Sequence, residues 1–76
     1  MKRYDEKLIA ERLYMYRQEV NHMSLNELSG ISGVSSAHIG DIERGRNSPS
    51  NIEILCRLAK ALNIRLDDIL IDCLKY

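Results

Sequence analysis

The sequence predicts an all-α domain of five helices. Three observations carry this: apolar residues recur at three- and four-residue steps in successive segments, Ser and Glu stand at capping-box spacing before two of them, and a glycine separates two short helices near the middle of the chain. Each element follows from its own residues.

Asp5 is placed to cap a first helix that runs to about Glu19, with Ile9, Leu13, Tyr16 and Val20 as its inward stripe. Leu8, Tyr14 and Met15 fall off that stripe, and Met1 to Tyr4 reads as a short, mobile polar lead. Ser24 opens the second helix, because its hydroxyl can accept an N–H of the first turn while Glu27 reaches back to the Ser24 backbone. Leu25, Leu28 and Ile31 are its apolar positions, and Gly33 stands where the chain must leave the helix through a left-handed conformation. Val34 plugs the junction. Ser35 offers the next cap, and a third helix runs from Ser36 to about Arg44, with Ile39 and Ile42 inward and Gly45 as its stop.

Asn47-Ser48-Pro49-Ser50 is the main break in the chain, and Ser50 with Glu53 forms a second capping box that starts a fourth helix at Asn51. Its inward residues are Ile52, Leu55, Leu58, Ala59 and Leu62, with Cys56 beside them. Asn63 and Ile64 turn the chain into a last helix from about Leu66 to Leu74, whose stripe is Leu66, Ile69, Leu70 and Cys73 and whose N-terminus is favoured by Asp67 and Asp68. Ile71, Leu74 and Tyr76 are surplus to that stripe. Apolar residues beyond one face of a terminal helix point to a second subunit that covers them.

Composition bounds the function. The 76 residues make one domain, small enough to bury only about 60% of its unfolded surface, so a partner's added burial would help it. With no Trp or Phe the core must be aliphatic. Eleven basic residues balance eleven acidic ones, yet the charge is unevenly spread: Arg44, Arg46, Arg57 and Lys60 face a single acid, Glu53, whereas Asp67, Asp68 and Asp72 outnumber Arg65 and Lys75. A locally basic face on a neutral chain is compatible with nucleic acid, which needs cations only where phosphates lie. Cys56 and Cys73 form no CxxC pair and read as reduced core thiols of a cytoplasmic protein, with a disulfide as the less favoured alternative. His22 and His38 lack ligand spacing, so no metal, cofactor or small-molecule ligand is expected, and neither a membrane span nor a catalytic nucleophile with its base can be assembled.

Two helices joined by a short Gly-containing turn cross steeply and leave the start of the second free to protrude; a helical hairpin inside any small bundle is the alternative. The ordered set Ser24-x-x-Glu27-Leu28, Ser32-Gly33-Val34-Ser35, Ile39-x-x-Ile42-Glu43-Arg44-Gly45-Arg46, Pro49-Ser50 and Leu58-Ala59-x-Ala61-Leu62-Asn63-Ile64 resembles the XRE family of phage-repressor and Cro-type regulators, over roughly residues 9–70. The resemblance implies a five-helix, lambda-repressor-like fold with a helix-turn-helix at about residues 25–44. It implies double-stranded operator DNA as partner, a third helix in the major groove, and binding as a homodimer through Ile71, Leu74 and Tyr76. Carried over by position, Ser36, Ala37 and Asp41 read bases, Asp41 either accepting from cytosine or holding a neighbouring Arg. Ser35, His38, Arg44, Arg46, Asn47 and Ser48 hold phosphates, and Arg17 pairs with Glu43 as a structural tie.

Three departures accompany the resemblance. The link from Arg17 to Ser24 is one residue longer than the family's common form. Leu25 stands where the family usually has Gln, and Arg65 where it often has a Ser or Thr cap. The expected activity is operator occupancy by a repressor or controller protein; the alternative is a protein-interaction module such as an antitoxin.

Overall fold

The computed structural model of the chain describes residues 3–45, 52–70 and 74–75. In chain order these form β1 (Arg3–Tyr4), α1 (Glu6–Tyr14), a π-helical segment (Met15–Val20), α2 (Leu25–Ser32), α3 (Ser36–Glu43), α4 (Ile52–Ala61), α5 (Leu66–Leu70) and β2 (Leu74–Lys75). The five expected helices are present. The core is aliphatic: Leu13, Leu28, Val34, Ile39, Ile42, Leu58 and Leu62 form one cluster, and Ile9, Leu55, Ala59 and Ile69 a second toward α5.

Asp5 caps α1 by accepting from the amides of Lys7 and Leu8 at 3.2 and 3.3 Å. After Tyr14 the helix widens, and the amide of Asn21 reaches the carbonyl of Tyr16 at 3.1 Å, five residues back. This corrects the inward stripe of the first helix. A π-turn takes more residues than an α-turn, so Val20 falls short of the core face and is 57% exposed, while Arg17 is carried inside. The wider turn also takes up the long link to Ser24. Asn21 closes it by donating through Nδ2 to the Tyr16 carbonyl at 2.7 Å and to Leu62 at 3.4 Å.

Three further expectations about the core are corrected. Ile31 is 60% exposed because two successive three-residue steps from Leu25 each fall about 60° short of a full turn at about 100° per residue. Ile52, 44% exposed, precedes Leu55 by one such step. Cys56 is a free, exposed thiol, since it lies about 100° around α4 from Leu55. Cys73 and the cap at Ser50 lie outside the described residues.

The chain ends also differ from expectation. Arg3–Tyr4 pairs antiparallel with Leu74–Lys75, so Arg3 and Tyr4 are no free lead and the last helix stops short of Leu74. Local periodicity carries no information about a pairing this distant in sequence. α4 ends in a Schellman turn: Asn63 adopts φ 58°, its amide bonds Lys60, and the Ile64 amide bonds Ala59 at 3.0 Å. At α5 the carboxylate of Asp68 accepts from the Arg65 amide at 2.9 Å, which supplies the capping bond made without a Ser or Thr.

Candidate nucleic-acid interface

The site is built by two caps and one glycine. Ser24 and Glu27 form a reciprocal capping box, each bond 3.0 Å long, and fix where α2 begins. Gly33 ends α2 at φ 77°, ψ 6°, in the left-handed region. Val34 is then buried, its amide bonded to the Ser32 hydroxyl at 3.1 Å, and Ser35 caps α3 by accepting from His38 at 3.2 Å. Ile39 and Ile42, 0% and 1% exposed, anchor α3 from beneath. Its start therefore stands proud of the core: Ser35 and Ala37 are exposed, and Ser36 and His38 half-buried.

Arg17 and Glu43 tie α3 to the end of the first helix. Arg17 donates from Nε and Nη2 to the two carboxylate oxygens of Glu43 at 2.7 and 2.9 Å, and from Nη1 to the carbonyl of Met23 at 2.7 Å and to Gln18 at 3.2 Å. The Tyr14 ring lies 5.3 Å from the guanidinium carbon. The bond to Glu43 pushes the Arg17 pKa upward, against a smaller downward push from burial. Both side chains are more than nine-tenths buried, so neither charge is dispensable alone.

An open cleft of about 590 Å³ runs between the start of α2 and the outer face of α3, lined by Arg17, Ser24, Leu25, Asn26, Ser36, Ala37, Gly40 and Arg44. Leu25, where the resembled family has Gln, packs partly against the core while bordering the cleft. Asp41 Oδ1 lies 3.2 Å from Arg44 Nη2. The structure thus brings Ser36, Ala37 and Asp41 of α3 together with Arg44, the residue that follows the helix, with Ser35 and His38 at the helix start. Arg46, Asn47, Ser48, Ile71 and Tyr76 lie outside the described residues; of Leu74 only the backbone, in β2, is described. Four cleft members, Ser24, Leu25, Asn26 and Gly40, are absent from the sequence-based set of site residues. Gly40 was legible only through its position four residues before Arg44, one helical turn.

Among the described residues no cluster of His, Cys, Asp or Glu is arranged to hold a metal, and no helix is long and apolar enough to cross a membrane.

Comparison with known proteins places this geometry in company. A family model described as Helix-turn-helix matches residues 13–69. The HTH-type transcriptional regulator DdrOP3 of Deinococcus deserti is 37% identical over 62 residues, covering 82% of this chain and 46% of its own. Control protein C.SmaI of Serratia marcescens is 34% identical over 65 residues, covering 86% of this chain and 75% of its own. A crystal structure of an HTH_3-family transcriptional regulator from Vibrio cholerae superposes with a TM-score of 0.80 at 29% identity, over 90% of this chain and 37% of that one. The chain thus spans less than half the length of the first of these relatives and of the Vibrio protein. These relatives lend no support to the antitoxin alternative.

Proposed function

The chain belongs to the helix-turn-helix family, and on that premise we propose that it is a sequence-specific DNA-binding transcriptional regulator rather than an enzyme. The observation that carries this reading is the outward start of α3: Ser35 and Ala37 are exposed while Ile39 and Ile42 beneath them are sealed in the core. A helix held this way can enter a major groove by its N-terminus. In this reading Ser36 and Ala37 meet base edges, a hydroxyl for hydrogen bonding and a methyl for the thymine methyl. Ser35 and His38 lie at the phosphate rim, joined by Arg46, Asn47 and Ser48 of the segment before α4. Asp41, read from the sequence as a base contact or as the holder of a neighbouring Arg, and Arg44, read as a phosphate contact, face each other at 3.2 Å and so act together.

The neutral net charge limits phosphate neutralisation per copy, and binding as a homodimer to two half-sites about 34 Å apart would compensate. The apolar Ile71, Leu74 and Tyr76 remain our candidates for the dimer contact. A cytoplasmic repressor or controller acting by occupancy fits these features. The names of the relatives, a transcriptional regulator and a control protein, support the same class.

The test is a mobility shift with the duplex upstream of the chain's own gene, against excess random duplex. We expect a retarded species for the unaltered protein and none for Ala37→Glu, which puts a carboxylate on the outward face without touching the core. Equal retardation of specific and random DNA, or of both proteins, contradicts the reading.

A further inference from the structure

Arg44 follows the last residue of α3, where a long side chain would be free to extend away from the helix. Instead its guanidinium lies back over Gly40, one turn earlier: a Cβ added at Gly40 would stand 3.2 Å from Nη2 and 3.3 Å from Nη1. Side chains lean toward a helix N-terminus, so this path is a natural one once position 40 lacks a side chain. Asp41 Oδ1, 3.2 Å from Nη2, holds the group from the side. Gly40 and Arg44 line the same cleft as Ser36 and Ala37. The other guanidinium bordering that cleft, Arg17, is buried and directs its donors to Glu43, Met23 and Gln18. The Arg44 side chain is 54% exposed.

We propose that Arg44 reads a base. Held over Gly40 by Asp41, its guanidinium donates to O6 and N7 of a guanine in the major groove, and Asp41 is a positioning residue. This rests on the reading of the chain as a DNA-binding regulator; it moves Arg44 from a phosphate to a base and gives Asp41 the second of the two roles open to it, that of holding a neighbouring Arg. Three features favour a base edge over a phosphate. The group sits beside the outward turn of α3; Ser36 and Ala37 are small enough to let it approach; and a planar fork fixed by a carboxylate suits the two acceptors of guanine. The pairing also explains how Asp41 is tolerated near phosphates, since its charge is offset in place.

The experiment is selection from a random duplex library by the purified full chain, with enriched sequences and salt dependence measured for the unaltered protein, Arg44→Ala, Gly40→Ala and Asp41→Asn. The unaltered protein is expected to enrich a motif containing a guanine whose replacement weakens binding on the order of tenfold or more. Arg44→Ala is expected to lose that preference alone, leaving the other positions of the motif unchanged. Gly40→Ala, whose methyl displaces the guanidinium, and Asp41→Asn, which releases it, are expected to relax the same position more weakly. If Arg44→Ala instead weakens all sequences alike and lowers the salt slope by about one, Arg44 holds a phosphate and the proposal is overturned while the DNA-binding reading stands. If Asp41→Asn alters a different position from Arg44→Ala, Asp41 is itself a reader and the proposal is likewise overturned. If the unaltered protein enriches no motif, both fall.

Discussion

Arg17 and Glu43 meet through two hydrogen bonds of 2.7 and 2.9 Å across 26 residues of sequence, and so join the π-helical end of the first helix to the last residue of α3. Because the pair is buried, its value lies in completeness: a guanidinium left without its carboxylate costs far more than the pair contributes. Glu43→Gln is therefore expected to destabilise the domain by about 3 kcal/mol or more, lowering the melting temperature by over about 10 °C in a chain of this size. The double change Arg17→Met, Glu43→Leu should recover much of that loss. A thermal melt followed by circular dichroism checks both, and a Glu43→Gln melt unchanged from the parent would show that water already reaches the pair.

The same pair has a defined pH signature. Arg17 has its pKa raised in the folded state, so its contribution is complete below the unfolded value and is lost only as pH rises through the raised one, in strongly alkaline solution. Stability measured by urea titration should thus carry no slope from Arg17 across the neutral range. A loss of stability on mild alkalinisation that disappears in the Arg17→Met, Glu43→Leu variant would contradict this.

Gly33 carries the turn between α2 and α3 at φ 77°. A Cβ there would meet nothing closer than Arg57 Nη1 at 3.8 Å, so the penalty for Gly33→Ala is one of backbone and not of crowding. We expect about 1–2 kcal/mol from the left-handed conformation. Gly33→Asn should cost less, because Asn tolerates that region. Equal costs in denaturant titration would indicate that side-chain space, not φ, decides the position.

Leu28 and Ile31 look equivalent in the sequence and are not. Leu28 is fully buried, so Leu28→Ala should cost about 2–5 kcal/mol, whereas Ile31→Ala, at a site 60% exposed, should change stability by no more than about 0.5 kcal/mol. Comparable losses in a chemical melt would mean that Ile31 is covered in solution.

What was legible in the sequence was local. Ser24 with Glu27, Gly33 and Ser35 announce their roles because a cap or a left-handed turn is a matter of a few neighbouring residues, and α2 and α3 begin where these residues place them. Ile39 and Ile42 followed from the same register. Val20 did not, since the switch from α to π turns after Tyr14 leaves no mark in apolar spacing. The pairing of Arg3–Tyr4 with Leu74–Lys75 is too short and too distant to show as periodicity. In the candidate site, Ser36 and Ala37 could be placed by position and Asp41 could be read as holding a neighbouring Arg, but the donation from Arg44 to Asp41 across Gly40 depends on the path of a side chain. For Arg46, Asn47 and Ser48 the sequence remains the ground of the reading.

That the start of α3 and the cleft beside it face DNA is the point on which the proposed function turns. It is tested most directly by following backbone amide resonances of the labelled protein while the duplex from upstream of its own gene is added. The largest shifts are expected at Ser24, Asn26, Ser35 to His38, Gly40 and Asp41, with α5 little affected. Shifts concentrated on α5 and absent from Ser35 to His38 would contradict it.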